Sequence, residues 1–120
     1  MQCLMYGSQM QSITIPKNAE ITSIGSYAFA ECTSLKSVDI PNTVTEIPAG
    51  AFAYCTSLET VNFGESITYI GNEAFRECAS LTEIELPDTL ESTGGYLFYM
   101  CTALEKVTFP ESLVSMDAYN

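Results

Sequence analysis

The fold this sequence predicts is an α/β repeat solenoid, with one short parallel strand and one short helical turn in each 23-residue lap. Three observations predict it. The run Ile-Gly-Ser-Tyr-Ala-Phe-Ala-Glu-Cys-Thr-Ser-Leu at 24–35 returns in recognisable form at 47–58 and at 70–81, 23 positions later each time. Apolar residues recur in columns at that same period. A brief alternating segment, Val38-Asp39-Ile40 and its equivalents, follows each copy and is closed by Pro41, Gly64, Pro87 or Pro110.

Residues 1–22 read as a worn first lap. Ile13-Thr14-Ile15-Pro16 matches Val38-Asp39-Ile40-Pro41 at an offset of 25, because the stretch from Pro16 to Ile24 is two residues longer than that from Pro41 to Ile47. At that offset Leu4 stands for Phe29, Met10 for Leu35, and Gly7 replaces the cysteine of later laps. Residues 23–112 are the regular laps and 113–120 begin a further one, so the whole chain, 1–120, is a single solenoid.

The columns of the regular laps are Phe29, Phe52, Phe75, Phe98; Leu35, Leu58, Leu81, Leu104; Val38, Val61, Ile84, Val107; Ile40, Phe63, Leu86, Phe109; and Val44, Ile67, Leu90, Leu113. Five columns spread around one lap send side chains inward from every side. A lone lap cannot bury them, whereas a stack joins them into one core. Val38-x-Ile40 alternates apolar and polar residues, as a half-buried strand does. Proline ends it because it cannot donate to a ladder, and Asn42-Thr43 or Asp88-Thr89 suits the turn that follows. Gly25, Pro48, Gly71 and Gly94 set a second corner. The residues around Ala28-Phe29 are too few for a free-standing helix and read as a turn or two of helix held by stacking. One strand per lap, always in the same direction, gives a parallel sheet with ~4.8 Å between strands. The last lap departs from the rest: Thr93 replaces isoleucine, Gly94-Gly95 doubles the glycine, Leu97 replaces alanine, and Tyr99-Met100 is more apolar than Ala30-Glu31.

The lap Ile-x-x-Ile-Gly-x-x-Ala-Phe-x-x-Cys-x-x-Leu-x-x-Val-x-Ile-Pro-x-x-Val resembles the BspA-type leucine-rich repeats, also called the Treponema pallidum type, over roughly residues 13–116. The resemblance implies a right-handed leucine-rich-repeat solenoid with its short strands on one face. It also implies a cell-surface or secreted protein of bacterial or protozoan type that adheres to host, matrix or neighbouring-cell proteins.

Four basic and fifteen acidic residues give a net charge of −11, which disfavours nucleic acid and anionic membranes; the acidic balance is mostly a solubility device, with attraction of a basic protein surface as the alternative. No apolar run is long enough to span a membrane as a helix. The first residues lack the basic start and apolar core of a signal peptide, and no N-glycosylation sequon gives evidence of secretion, so the chain is either cytoplasmic or a processed or trimmed one. The sequence has no histidine. That removes the usual triads and the commonest acid–base group, while Glu83 and Glu85, the one obvious carboxylate pair, stand on an exposed strand with no pocket expected. We therefore expect no enzyme and no cofactor.

Cys32, Cys55, Cys78 and Cys101 stand 23 apart and should form an internal column of free thiols, small apolar fillers with no Cys-x-x-Cys or His for zinc; a disulfide between neighbours ~5 Å apart is the alternative, though parallel side chains would strain it. Cys3 lies outside the column as the most exposed thiol. Two surfaces are candidate interaction sites. The strand face carries Lys36, Asp39, Glu59, Asn62, Glu83, Glu85 and Glu105, polar and without aromatics. The turn side and C-terminal end carry Tyr27, Tyr54, Tyr96, Tyr99, Met100 and Tyr119, residue types enriched at binding hot spots. Neither end of the solenoid reads as a polar cap, so either the chain is a fragment of a longer array or an end pairs with a second copy; the alternative function is accordingly a spacer or self-assembly module that pairs through its ends.

Overall fold

The computed structural model describes residues 12–14, 25–27 and 29–116, the strands at 12–14 and 115–116 as backbone alone. Among the described residues nine short strands follow in chain order: β1 Ser12–Thr14, β2 Ser37–Asp39, β3 Glu46–Ile47, β4 Thr60–Asn62, β5 Tyr69–Ile70, β6 Glu83–Glu85, β7 Ser92–Thr93, β8 Lys106–Thr108 and β9 Ser115–Met116. Every pairing is parallel. β2 and β4 pair Val38 with Val61, a shift of one 23-residue lap, and β1 joins β2 with Ile13 beside Val38, so the worn lap enters in the 25-residue register its two extra residues require.

Each of the regular laps, from β2 onward, has two strands where the sequence led us to expect one. The second set, β3, β5, β7 and β9, forms its own four-stranded sheet. These strands are two residues long, too brief for period-two alternation to show in a sequence. Their pattern is real all the same: Ile47 and Ile70 are fully buried while Glu46 and Tyr69 face solvent.

Where a helical turn is expected, the described residues contain consecutive tight turns and no helix. Alternate N–H groups there leave their own lap for the next: Gly50 donates to the Asn72 carbonyl at 2.9 Å, Phe52 to Ala74 at 2.8 Å and Tyr54 to Arg76 at 2.7 Å. The residues between close locally, Ala51 onto Pro48 and Ala53 onto Gly50. The left-handed backbone that turns N–H groups outward recurs with the lap, at Tyr27, Gly50, Glu73 and Tyr96, and again at Glu31, Tyr54, Glu77 and Met100. A right-handed helix cannot run through a left-handed residue, which costs ~1–2 kcal/mol in an L-amino acid. Stacking replaces the helix with a third lap-to-lap ladder.

Inside these three sides the columns file as expected. Phe29, Phe52, Phe75 and Phe98 stack in a row with ring centroids 5.5, 5.6 and 6.0 Å apart and nearly parallel planes. Leu35, Leu58 and Leu81 are wholly buried beside them. The thiols fasten successive laps: Cys55 Sγ donates to the Phe29 carbonyl at 3.1 Å, Cys78 to Phe52 at 3.3 Å and Cys101 to Phe75 at 3.0 Å. Cys55, Cys78 and Cys101 are free thiols, but Cys32 is held in a disulfide, which corrects the expectation of four free thiols. Cys3 lies outside the described residues.

Glycines permit the closest approach at the corner. A Cβ on Gly71 would sit 2.6 Å from the Ala49 nitrogen and 2.9 Å from the Pro48 carbonyl carbon, both backbone atoms of the lap before. A Cβ on Gly25 would meet nothing within 4 Å.

Candidate functional site

On the strand face the ladder is interrupted. β1, β2 and β4 form one sheet and β6 with β8 another, with no pairing between β4 and β6. A cleft of about 240 Å³ opens there, lined by Glu59, Thr60, Val61, Glu83, Ile84, Glu85, Lys106 and Thr108. A second hollow of about 330 Å³ continues it past Asn62, Phe63, Gly64 and Asp88. The pocket absent from the sequence reading is therefore present beside Glu83 and Glu85. The interruption brings Glu59, Glu83, Glu85 and, farther along, Asn62 onto one groove; Lys36, Asp39 and Glu105 do not line it.

Three local features favour the opening. Phe63 occupies a column filled by Ile40 before it and Leu86 after it, and its ring meets Phe75 edge-on at 6.0 Å, so extra bulk stands between these two laps. Gly64, at φ 75°, leans toward β2, where a Cβ would fall 2.6 Å from the Ile40 carbonyl oxygen. Charge pairing also stops at the gap. Within the paired sheets Asn62 Nδ2 donates to Asp39 Oδ1 and Glu83 stands in register with Lys106, whereas the cleft gathers three carboxylates, Glu59, Glu83 and Glu85, with Lys106 as its one ammonium.

The turn side is organised by a residue the sequence reading passed over. The Arg76 guanidinium lies 4.9 Å from the Tyr99 ring centroid and 5.7 Å from that of Tyr54. Glu73 accepts from its Nη1 at 3.1 Å, and Glu77 lies 3.7 Å from its Nε. Tyr96 packs edge-on against Tyr99 at 5.5 Å. Tyr96, Tyr99 and Met100 remain 44, 43 and 52% exposed, a contiguous surface over a fixed cation. The signal for Arg76 was available: it stands one lap before Tyr99 in the same column, in a chain with only four basic residues. Tyr27 belongs to a separate contact, its ring lying against Gly50 in the next lap. Tyr119 lies outside the described residues. The left-handed backbone at Tyr96 and Met100 follows the period of every lap, so it is architectural and not a feature of this patch.

The thiols differ in their surroundings. Burial pushes the Cys55 thiol up to about 12, against a smaller opposing effect of its backbone hydrogen bond to Cys32. Cys78 is also raised, by its hydrogen bond with Cys101 and then by burial, while the half-exposed Cys101 is lowered by that same hydrogen bond. Among the described residues no group of three or more metal-ligating side chains converges, and no helix is long and apolar enough to cross a membrane.

Stacked laps of this composition, with parallel strands and a filed phenylalanine and leucine core, define a leucine-rich-repeat protein. The model of the BspA-type leucine-rich repeat region matches residues 2–120 in six copies, and the chain belongs to that family. Among solved structures it is similar to the Treponema pallidum leucine-rich repeat protein, at 28% identity and a TM-score of 0.87 over 93% of this chain and 53% of the other. A leucine-rich cell surface protein from Faecalibacterium prausnitzii aligns at 35% identity and a TM-score of 0.77, covering 89% of this chain and 29% of its own. The pneumococcal vaccine antigen PcpA aligns at 28% identity and a TM-score of 0.70, covering 90% and 30%. This chain thus spans about half of the first and under a third of the other two. No curated protein matches it. Repeat proteins of this family are in general protein-binding modules and not enzymes, and the similar structures include a cell surface protein and a vaccine antigen.

Proposed function

We propose that the chain is a non-enzymatic adhesion module of a cell-surface or secreted protein, holding a protein partner through the patch of Tyr96, Tyr99 and Met100. The observation that carries this reading is the exposed aromatic surface itself. Tyr99 stands against Arg76, whose charge is already engaged by Glu73 and Glu77, and with Tyr96 packed on it and Met100 next in sequence it exposes two aromatic rings and a thioether to solvent. Aromatic side chains lose little conformational freedom on binding and dominate interface energetics. The disulfide at Cys32 supports an oxidising compartment, and similarity to a cell surface protein and to a vaccine antigen supports the same location.

The test is capture of extracellular-matrix and cell-surface proteins on immobilised chain, with Tyr96→Ala plus Tyr99→Ala as the comparison. Capture by the parent and a roughly tenfold or greater loss in the double variant are expected. Equal capture by both, with unchanged self-association, refutes the assignment to this patch. A second reading, self-assembly through the solenoid's end, is favoured by Phe109 at 49% and Val114 at 84% exposure in the last lap. Light scattering across concentration decides it: a strictly monomeric species at high concentration removes it.

A further inference from the structure

The break between β4 and β6 leaves main-chain groups without a ladder in the middle of an array that is otherwise closed. Their direction follows from the pairs on either bank. Thr60 donates to the Lys36 carbonyl at 3.2 Å and the Asn62 carbonyl accepts from Ile40 at 2.8 Å, so both turn toward β2. In a parallel ladder alternate residues serve opposite neighbours, and Val61 therefore turns its N–H and C=O into the gap. On the other bank the Thr82 carbonyl accepts from Lys106 at 3.3 Å and Leu86 donates to the Thr108 carbonyl at 3.0 Å. Glu83 and Glu85 accordingly turn theirs into the gap as well.

These groups line a groove as long as the strands, with its floor and rim of different character. Inward lie the half-buried Val61 and the buried Ile84; outward stand the exposed carboxylates of Glu59, Glu83 and Glu85 against a single ammonium, Lys106 beside Glu83, so the rim keeps an excess of negative charge. The laps stay joined on their other sides, where Tyr69 and Ile70 of β5 pair with Ser92 and Thr93 of β7 and Tyr54 donates to Arg76, so the gap is local and not a break in the solenoid.

We propose that this gap is a docking slot for an extended basic segment of a partner protein, which enters as an additional strand between β4 and β6. Open strand edges supply main-chain hydrogen bonds to such a segment, and alternation sets its sequence. Apolar side chains would point inward to Val61 and Ile84, and Lys or Arg outward to the three carboxylates. The proposal rests on the reading of the chain as a protein-binding module but uses a different face from the tyrosine patch.

The probe is a synthetic peptide, acetyl-Lys-Val-Lys-Val-Lys-amide, with a version N-methylated at its valines and a version carrying Glu for Lys as comparisons. In the free protein the amides of Val61, Glu83 and Glu85 should exchange rapidly with solvent while those of Val38 and Ile84 are protected. Adding the peptide at low salt should protect the first three. The N-methylated and Glu peptides should bind at least about tenfold more weakly, as should the Glu85→Lys variant, whose exposed side chain is not needed for folding. Tyr96→Ala plus Tyr99→Ala should bind the peptide as the parent does. Protection of Val61, Glu83 and Glu85 in the free protein overturns the proposal, as does absence of peptide binding. Equal binding of the N-methylated peptide also overturns it, since charge alone would then explain the contact. Because the peptide assay needs no natural partner, failure of protein capture with retained peptide binding removes the adhesion reading alone. Protein capture by a chain that ignores the peptide removes the slot alone.

Discussion

Two sides of the same laps behave differently. Along β3, β5, β7 and β9 the parallel ladder runs unbroken through four strands, whereas along the longer strands it parts between β4 and β6. The closed side is built from small or regular parts: Gly71 lets backbone lie on backbone, and Ile47 and Ile70 repeat one shape. The open side meets irregular ones, with Phe63 in an aliphatic column, Gly64 where other laps have proline, and three carboxylates around the gap. A repeat period sets which residues face each other. Whether they close on one another depends on their bulk and charge.

The largest effect should come from Phe75, which stacks between Phe52 and Phe98 and also meets Phe63 across the open side. Phe75→Ala should cost about 3–5 kcal/mol, since the cavity lies in the centre of the column. Urea unfolding of both proteins should show one transition at a lower midpoint in the variant. Two separate transitions would mean that the gap divides the molecule, and that the closed side does not hold its halves together.

Alkaline pH probes the column next. The Cys55 thiol is raised in the folded chain from 9.0 to about 12, so between those values the folded state binds more protons than the unfolded one. Its contribution is intact below pH 9 and fades as pH rises toward 12, by up to roughly 4 kcal/mol from this group. Cys55→Ala should flatten that part of the stability–pH curve. An unchanged slope would show that Cys55 does not stay neutral within the stack.

Close approach at the corner is tested by Gly71→Ala, expected to cost about 1–3 kcal/mol because the new methyl would meet backbone, whereas Gly25→Ala should stay within about 0.5 kcal/mol. Equal thermal midpoints for the two variants would contradict the tight packing of the closed side. The smallest change is a gain. Thr93 replaces the isoleucine of its column, and its buried hydroxyl has no hydrogen-bond partner. Thr93→Val should stabilise the chain by about 1 kcal/mol, measured by denaturant midpoint. A loss would show that the hydroxyl is satisfied.

Much of this was legible in the residues. The Phe29, Phe52, Phe75, Phe98 file, the parallel direction and the 25-residue first offset follow from a period alone, because identical laps bury identical groups only by stacking in register. The tyrosine patch was legible as a set of surplus aromatics, and its organiser only in part: Arg76 shares a column with Tyr99, but only the fold brings Tyr54 against it from the lap before. Neither the two-residue strands nor the missing helix could be read, since both depend on N–H groups choosing a partner about 22 residues away over one nearby.

By itself, then, the sequence determined the lap, its columns and its family, since side-chain identity at a fixed spacing suffices to say what must be buried together. Only the tertiary structure decided where adjacent laps touch and where they part. That choice is made by sums of small mismatches across a contact, a larger ring at Phe63, a glycine bend at Gly64 and an excess of carboxylates around the cleft, none of which is decisive until the chain has brought the laps together.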